Sequence, residues 1–332
     1  NSLRVLIACG TAGGIAAAFN TPLAGVIFAM EVIVAEYTVV GFIPVILAAV
    51  SASAVSRTLL AGGAAFSIPV QHLNSLWEIP YVILLGVACG LAVVVFIQIS
   101  RATARLSHWN VVTRFALAGC ITGSLALLVP EVLGVGYDTL NLALHSELAL
   151  WSLAIIACAK LVATAISCGA GMPLGIIGPN LLIGACIGGT LGLAGGQFMP
   201  GLASDPTLYI VIGMGAAMAA ALNAPLAALL AIIELTHSIG IGMPAMLAIV
   251  AATLTSTGIF GQRSIHQTVL RQLQRAVPDD PLNQLLHRTH VASIMDSRVV
   301  RVPTVLTDKD LEPLLEFNPA WCLVTRENED LY

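Results

Sequence analysis

Apolar stretches fill the first 260 residues, at roughly 3–18, 22–33, 39–60, 79–100, 112–129, 149–168, 177–198, 207–221, 225–236 and 242–260. Their unequal lengths constrain the fold more than any other feature of the sequence. Spanning bilayer hydrocarbon takes about 20 apolar residues in a helix. Several stretches reach that length, but 22–33 and 225–236 fall well short of it. Both short stretches open on Asn-x-Pro, as Asn20-Thr21-Pro22 and Asn223-Ala224-Pro225. Asn is a favoured N-cap and Pro a favoured first helical residue, so the sequence predicts helices that begin inside the membrane. Irregular backbone at that depth survives only where protein or a water-filled cavity surrounds it. Paired interrupted segments of this kind point to a transport site.

The two short segments belong to an internal repeat. GTAGGIAAAFNTPLAGVIFAMEVI (10–33) aligns without gaps on GMGAAMAAALNAPLAALLAIIELT (213–236). Gly10 pairs with Gly213, Asn20 with Asn223, Pro22 with Pro225, Leu23-Ala24 with Leu226-Ala227, and Glu31 with Glu234. Two copies of a broken-helix element predict a pseudo-symmetric transporter fold. Sequence does not say whether the second copy is inverted.

Composition agrees. Hydrophobic residues make up 58% of the 332 and charged residues 10%, far beyond what a soluble core needs. The net charge of −4 and the lack of a basic block argue against nucleic acid as a partner. Of the fourteen Lys and Arg, six precede residue 261, and of the eighteen Asp and Glu, eight do. A membrane domain therefore gives way to a polar, cytosol-facing segment near 260–280. Cys9, Cys89, Cys120, Cys158, Cys168, Cys186 and Cys322 are scattered singly and read as small core residues, without metal-ligand spacing. The chain opens at the edge of an apolar run without Met, and reads as lacking an N-terminal portion.

The sharpest candidate site is Gly175-Ile176-Ile177-Gly178-Pro179, which precedes a long Gly-rich apolar stretch. A helix start presents unpaired N–H groups and the positive end of the dipole, so it can hold an anion without a full positive charge. Weak binding by dipoles also lets the anion leave.

These residues carry a resemblance. Gly175–Pro179 resembles the G-x-F-x-P anion motif of the CLC chloride channels and transporters. Residues 10–33 are similar to that family's Gly/Ala helix and Asn-x-Pro-Leu-Ala-Gly turn, and 222–236 to its later half-helix. Gly134-Val135-Gly136-Tyr137 and the segment opening at Lys160 fit as well, and the resemblance extends to about residue 275. It implies an all-α polytopic membrane protein of internally repeated, broken and tilted helices. It implies chloride as the transported ion, no cofactor, and a homodimer embedded in lipid with one pathway per subunit. The backbone amides of Ile176 and Ile177 would contact the anion. The family's G-S-G-I-P and G-R-E-G-P signatures do not occur in this chain. The gating glutamate and a contacting serine therefore cannot be named, and this chain alone is not expected to complete a pore.

Three departures bear on mechanism. Ile177 stands where the family motif has Phe, a modest change if the contact is a backbone N–H. The family's anion-contacting Tyr aligns with His266, whose imidazole can donate a hydrogen bond or carry charge; an unrelated helix-start His is the other reading. Val32 occupies the position where the family's exchangers often carry an inner acid, which tilts the expectation to passive conduction. Glu31 or Glu36 serving a proton route keeps proton-coupled exchange open. Ionisable groups at membrane depth are costly and functional by default, but the matched positions of Glu31 and Glu234 favour a structural role, capping neighbouring backbone. Lys160 is expected to face protein or reach an interface.

The tail, 291–332, reads as strand, acidic helix and strand: Val299 and Val300 in the first strand, a helix from Thr307. With Val291, Ile294 and Met295 it resembles the opening of a CBS domain, making a small α/β fragment; a generic polar extension is the alternative. The expected division is a membrane domain at 1–276, a linker at 277–290 and a partial CBS domain at 291–332. Some CBS pairs bind adenine nucleotides, which a fragment is not expected to do. The expected place is the plasma (inner) membrane with a cytoplasmic tail. An intramembrane enzyme is disfavoured because no HExxH, GxSxG or membrane-depth Asp pair occurs. A cation transporter would want acidic or oxygen-ligand rings in the pore.

Overall fold

The structure, a computed structural model, describes residues 2–34, 39–59, 73, 75–198, 204–272, 299–303 and 321–325. The chain divides into two units, Asn1–Arg275 and Ala276–Tyr332. In the second unit, β1 (Val299–Pro303) pairs in parallel with β2 (Trp321–Thr325), Val299 opposite Trp321. The expected helix from Thr307, the linker, and Val291, Ile294 and Met295 lie outside the described residues.

Every regular element described in the first unit is a helix. Its elements are α1 (Ser2–Phe19), α2 (Pro22–Phe28), α3 (Val39–Leu59), α4 (Ile79–Ala104), α5 (Val111–Leu128), α6 (Tyr137–Leu144), α7 (Leu150–Gly169), α8 (Ile177–Phe198), α9 (Pro206–Leu222), α10 (Pro225–Thr236), α11 (Gly242–Thr253) and α12 (Ile265–Gln272). α2 continues as a π-helical turn over Ala29–Val34, and α11 over Leu254–Ile259. The helices coincide closely with the apolar stretches, and several end where Pro, Gly or Asn breaks the ladder: α1 at Asn20, α5 before Pro130, α7 before Gly171 and α9 at Asn223. Among the described residues six helical spans are long and apolar enough to cross a membrane, while α1, α2 with its π turn, α9 and α10 are shorter. α3 and α5 present Ile43, Leu47, Val55, Val112, Leu127 and Leu128 outward, a surface suited to lipid. The protein is an integral, multi-pass membrane protein.

α9 lies at the centre, buried along nearly its whole length. Small residues bring its neighbours close: a methyl on Gly184 of α8 would run into the Gly213 carbonyl of α9. A methyl on Gly90 of α4 would come within 2.7 Å of the Ala252 carbonyl of α11. Close backbone approach through Gly and Ala is how helices associate in a bilayer, where hydrophobic burial offers no gain. The cysteines follow this only in part. Cys89, Cys168 and Cys186 are buried, but Cys120 and Cys158 are exposed; they sit on α5 and α7 faces that no other described element covers, so they are not core residues.

Candidate functional site

α7 ends in a left-handed turn at Gly171 (φ +83). There Gly171 N–H donates to the Cys168 carbonyl (3.0 Å) and Met172 N–H to the Ser167 carbonyl (3.2 Å), satisfying the last carbonyls of α7. The chain then runs irregularly to Ile177, where α8 begins. Asn180, itself buried, locks this start. Its backbone N–H (3.3 Å) and its Nδ2 (2.8 Å) both donate to the Ile176 carbonyl. The N–H groups of Ile176, Ile177 and Gly178 have no backbone acceptor among the described residues, and Pro179 has no N–H. Three donors therefore stand free at the positive end of a 22-residue helix.

A loop braces that helix start. Residues 132–136 lead into α6 through Gly134 (φ +65) and Gly136 (φ +89). A side chain on Gly178 would collide with Val135, and one on Gly136 with Leu182 of α8. The loop is held from behind by Lys160 of α7, only 2% exposed. Its Nζ donates to the carbonyls of Val132 and Gly134, at 2.7 Å each. Lys160 thus faces protein, and its charge lies one loop away from the α8 N-terminus with no carboxylate partner among the described residues.

The repeated half-helices interlock. Glu234 of α10 accepts from Leu23 N–H (3.0 Å) and Ala24 N–H (2.8 Å) at the start of α2. Glu31 accepts from Leu226 N–H (3.4 Å) and Ala227 N–H (2.9 Å) at the start of α10. Each contact is the image of the other under the sequence repeat, the signature of a two-fold relation. The two helices run antiparallel, each carboxylate meeting the other's first turn. Asn20 and Asn223 do not act as the N-caps expected of them. Both adopt the left-handed conformation (φ +56 and +54) and close the preceding helix. The residues at the N-cap positions, Thr21 and Ala224, make no side-chain cap, and the distant glutamates fill that role. Asn20 Oδ1 instead accepts from Ser53 Oγ (3.2 Å) and Arg57 Nε (2.6 Å) of α3.

Of the proton-route candidates, Glu31 is therefore engaged as a cap, Val32 packs against the core, and Glu36 lies outside the described residues. His266 is the second residue of α12, a helix capped by Ser264, whose Oγ accepts from Gln267 N–H at 3.2 Å. It is half-buried and its ring makes no hydrogen bond among the described residues. α12 packs on α4 and α9, whereas Gly175–Pro179 sit together at the α7–α8 connection. Among the described residues no cluster of His, Cys, Asp and Glu is arranged to hold a metal.

One buried acid escaped the sequence reading. Glu78, 1% exposed, accepts from Ser75 N–H (3.1 Å), Ser204 N–H (3.0 Å), Ser204 Oγ (2.9 Å) and Tyr209 Oη. Tyr209 stacks edge-on against Tyr81, whose hydroxyl donates to the Leu191 carbonyl of α8 at 2.6 Å. The start of α4 is thereby stapled to the far half of α8 and the start of α9. The signal was present: Ser75-Leu76-Trp77-Glu78 is a capping box before an apolar run.

The chain is similar to known proteins. The family model for voltage gated chloride channels matches residues 1–257. The putative chloride channel protein ClcB-like of Ralstonia nicotianae is 36% identical over 257 residues, which is 76% of this chain and 60% of that protein. The H(+)/Cl(−) exchange transporter ClcA of Vibrio parahaemolyticus is 29% identical over 288 residues, 84% of this chain and 61% of that protein. The chain thus spans about 60% of the length of these relatives. Among solved structures, a slow cyanobacterial Cl−/H+ antiporter superposes with a TM-score of 0.73 at 24% identity, covering 81% of this chain and 65% of that one.

Proposed function

The chain belongs to the voltage-gated chloride channel (CLC) family, and on that footing we propose that the protein exchanges chloride for protons across a membrane. The observation that carries chloride is the α8 start: three free N–H groups, one helix dipole, and a buried ammonium one loop behind them. The anion meets the N–H groups of Ile176 and Ile177, with Gly175, Gly178 and Pro179 shaping the turn and His266 donating from α12. Such a site attracts a small anion through partial charges and releases it readily. Transport, with no catalytic step, is what this geometry serves. The protein works as a homodimer in the plasma membrane with the tail in the cytoplasm, and the tail forms part of a CBS domain; adenine nucleotide would need the complete CBS pair.

Exchange displaces the passive conduction that Val32 suggested. A relative covered over most of this chain is named an H(+)/Cl(−) exchanger, and a fold neighbour an antiporter. Passive conduction is the second reading. It is favoured by Val32, which offers no proton acceptor, and by the engagement of Glu31 with α10. The deciding experiment reconstitutes the full-length protein in liposomes under an outward chloride gradient, with a pH probe outside. Uphill proton movement driven by chloride supports exchange. Chloride flux without it supports the passive reading, and no chloride flux defeats both.

A further inference from the structure

We propose that Arg114 is a capture site for small inorganic anions beside the α7–α8 connection, feeding chloride to the α8 N-terminus; this rests on the transport reading above. Arg114 lies in the second turn of α5, half-buried. Its Nε is shut off from solvent and has no hydrogen-bond partner, and no carboxylate pairs with its guanidinium among the described residues. Buried donors are almost always satisfied, so one that is not calls for an explanation. The other cations described in this unit do not pose the question. Arg57 donates to Asn20, Lys160 donates to two carbonyls and Arg263 has an interaction of its own, while Arg4, Arg101 and Arg105 are exposed to solvation.

Location supplies the function. A terminal nitrogen of Arg114 lies 3.8 Å from where a Cβ on Gly171 would stand. Gly171 is the exposed turn that closes α7, and the chain from it runs directly to Ile176. Five residues reach at most about 18 Å, so the guanidinium flanks the connection that leads to the free N–H groups. It is also half-open to solvent. Its attraction is therefore screened by salt, which suits a group that gathers anions and must pass them on. A unit charge about 10 Å from an approaching anion concentrates it about twofold in water and about tenfold at an effective dielectric constant of about 25.

The test measures initial chloride flux in liposomes against chloride concentration, at low and high ionic strength, for wild type, Arg114→Gln and Arg114→Lys. Each is reconstituted in phosphatidylcholine alone and with added phosphatidylglycerol. Arg114→Gln is expected to raise the half-saturating chloride concentration two- to tenfold at low ionic strength in both lipids, with the maximal rate unchanged. Arg114→Lys should stay near wild type, and high salt should erase the difference. An unchanged half-saturation, or a lowered maximal rate alone, overturns the proposal. An effect confined to phosphatidylglycerol also overturns it, because the residue would then serve lipid phosphate. If Arg114→Gln does not reconstitute, Arg114→Ala and Arg114→Met are measured in the same way: the same rise in half-saturation at low ionic strength supports the proposal, and an unchanged value overturns it. Absence of flux in the wild type would instead mark failure of the transport reading.

Discussion

Replacing Glu31 or Glu234 by Gln tests the interlocked half-helices. Each carboxylate receives two N–H bonds, and hydrogen bonds to a charged group are worth ~1.5–3 kcal/mol apiece. Each also faces a helix N-terminus, which adds ~0.3–1 kcal/mol. A Gln keeps one accepting oxygen, but turns an NH2 group on the second backbone donor. The outer bond of each pair, to Leu23 or Leu226, is exposed, so the lower end of the range applies and each substitution should cost ~2–3 kcal/mol. The two caps sit at opposite ends of the α2/α10 pair, so the double variant should lose about the sum. Unfolding by graded SDS in mixed micelles measures all three variants. Transport per folded molecule should keep its proton-to-chloride ratio in Glu31→Gln. The reasoning is refuted if Glu31→Gln leaves stability unchanged and abolishes proton movement, because Glu31 would then be a proton carrier and its bonds to α10 incidental.

Three further outcomes are expected. Lys160→Met strips the Val132 and Gly134 carbonyls of their partner, at a cost of ~1–3 kcal/mol, and removes the charge behind α8; chloride affinity measured by calorimetry should fall, and unchanged affinity would confine Lys160 to bracing the loop. Glu78→Gln sets an NH2 against donors from Ser75, Ser204 and Tyr209 and should cost ~3–5 kcal/mol, with Tyr209→Phe costing ~1.5–3 kcal/mol; full additivity in the double variant would show that the two do not act through one network. His266→Ala should weaken chloride binding while His266→Tyr preserves or strengthens it; equal affinity in all three proteins would remove His266 from the pathway.

Much of this fold was legible because membrane helices are written as apolar runs and their breaks as Pro, Gly and Asn. Pro22 and Pro225 mark the starts of α2 and α10, and the matched Glu31 and Glu234 suggested caps. The role of Asn20 and Asn223 was misread because Asn serves both helix ends: it caps N-termini through its side chain and tolerates the left-handed backbone of a C-terminus. Sequence could not decide between them, since the competing cap comes from the other repeat. α6 went unnoticed because Tyr137–Leu144 is short and polar enough to pass for loop. The partners of Glu78 and Lys160 were out of reach for a plainer reason. Ser204 and Tyr209 are more than a hundred residues from Glu78, and local pattern carries no information on such contacts. The anion motif was readable as a helix start, but the loop that braces it became visible only in three dimensions.

The central claim is that chloride is held by backbone at the start of α8. Bromide is a scattering substitute for chloride, so crystals of the full-length protein grown in bromide locate the anion by anomalous diffraction. The account predicts a peak within hydrogen-bonding reach of the Ile176 and Ile177 N–H groups, lost when Gly178→Val pushes Val135 aside and distorts the turn. Strong bromide peaks elsewhere in the membrane domain with none at these amides would contradict it.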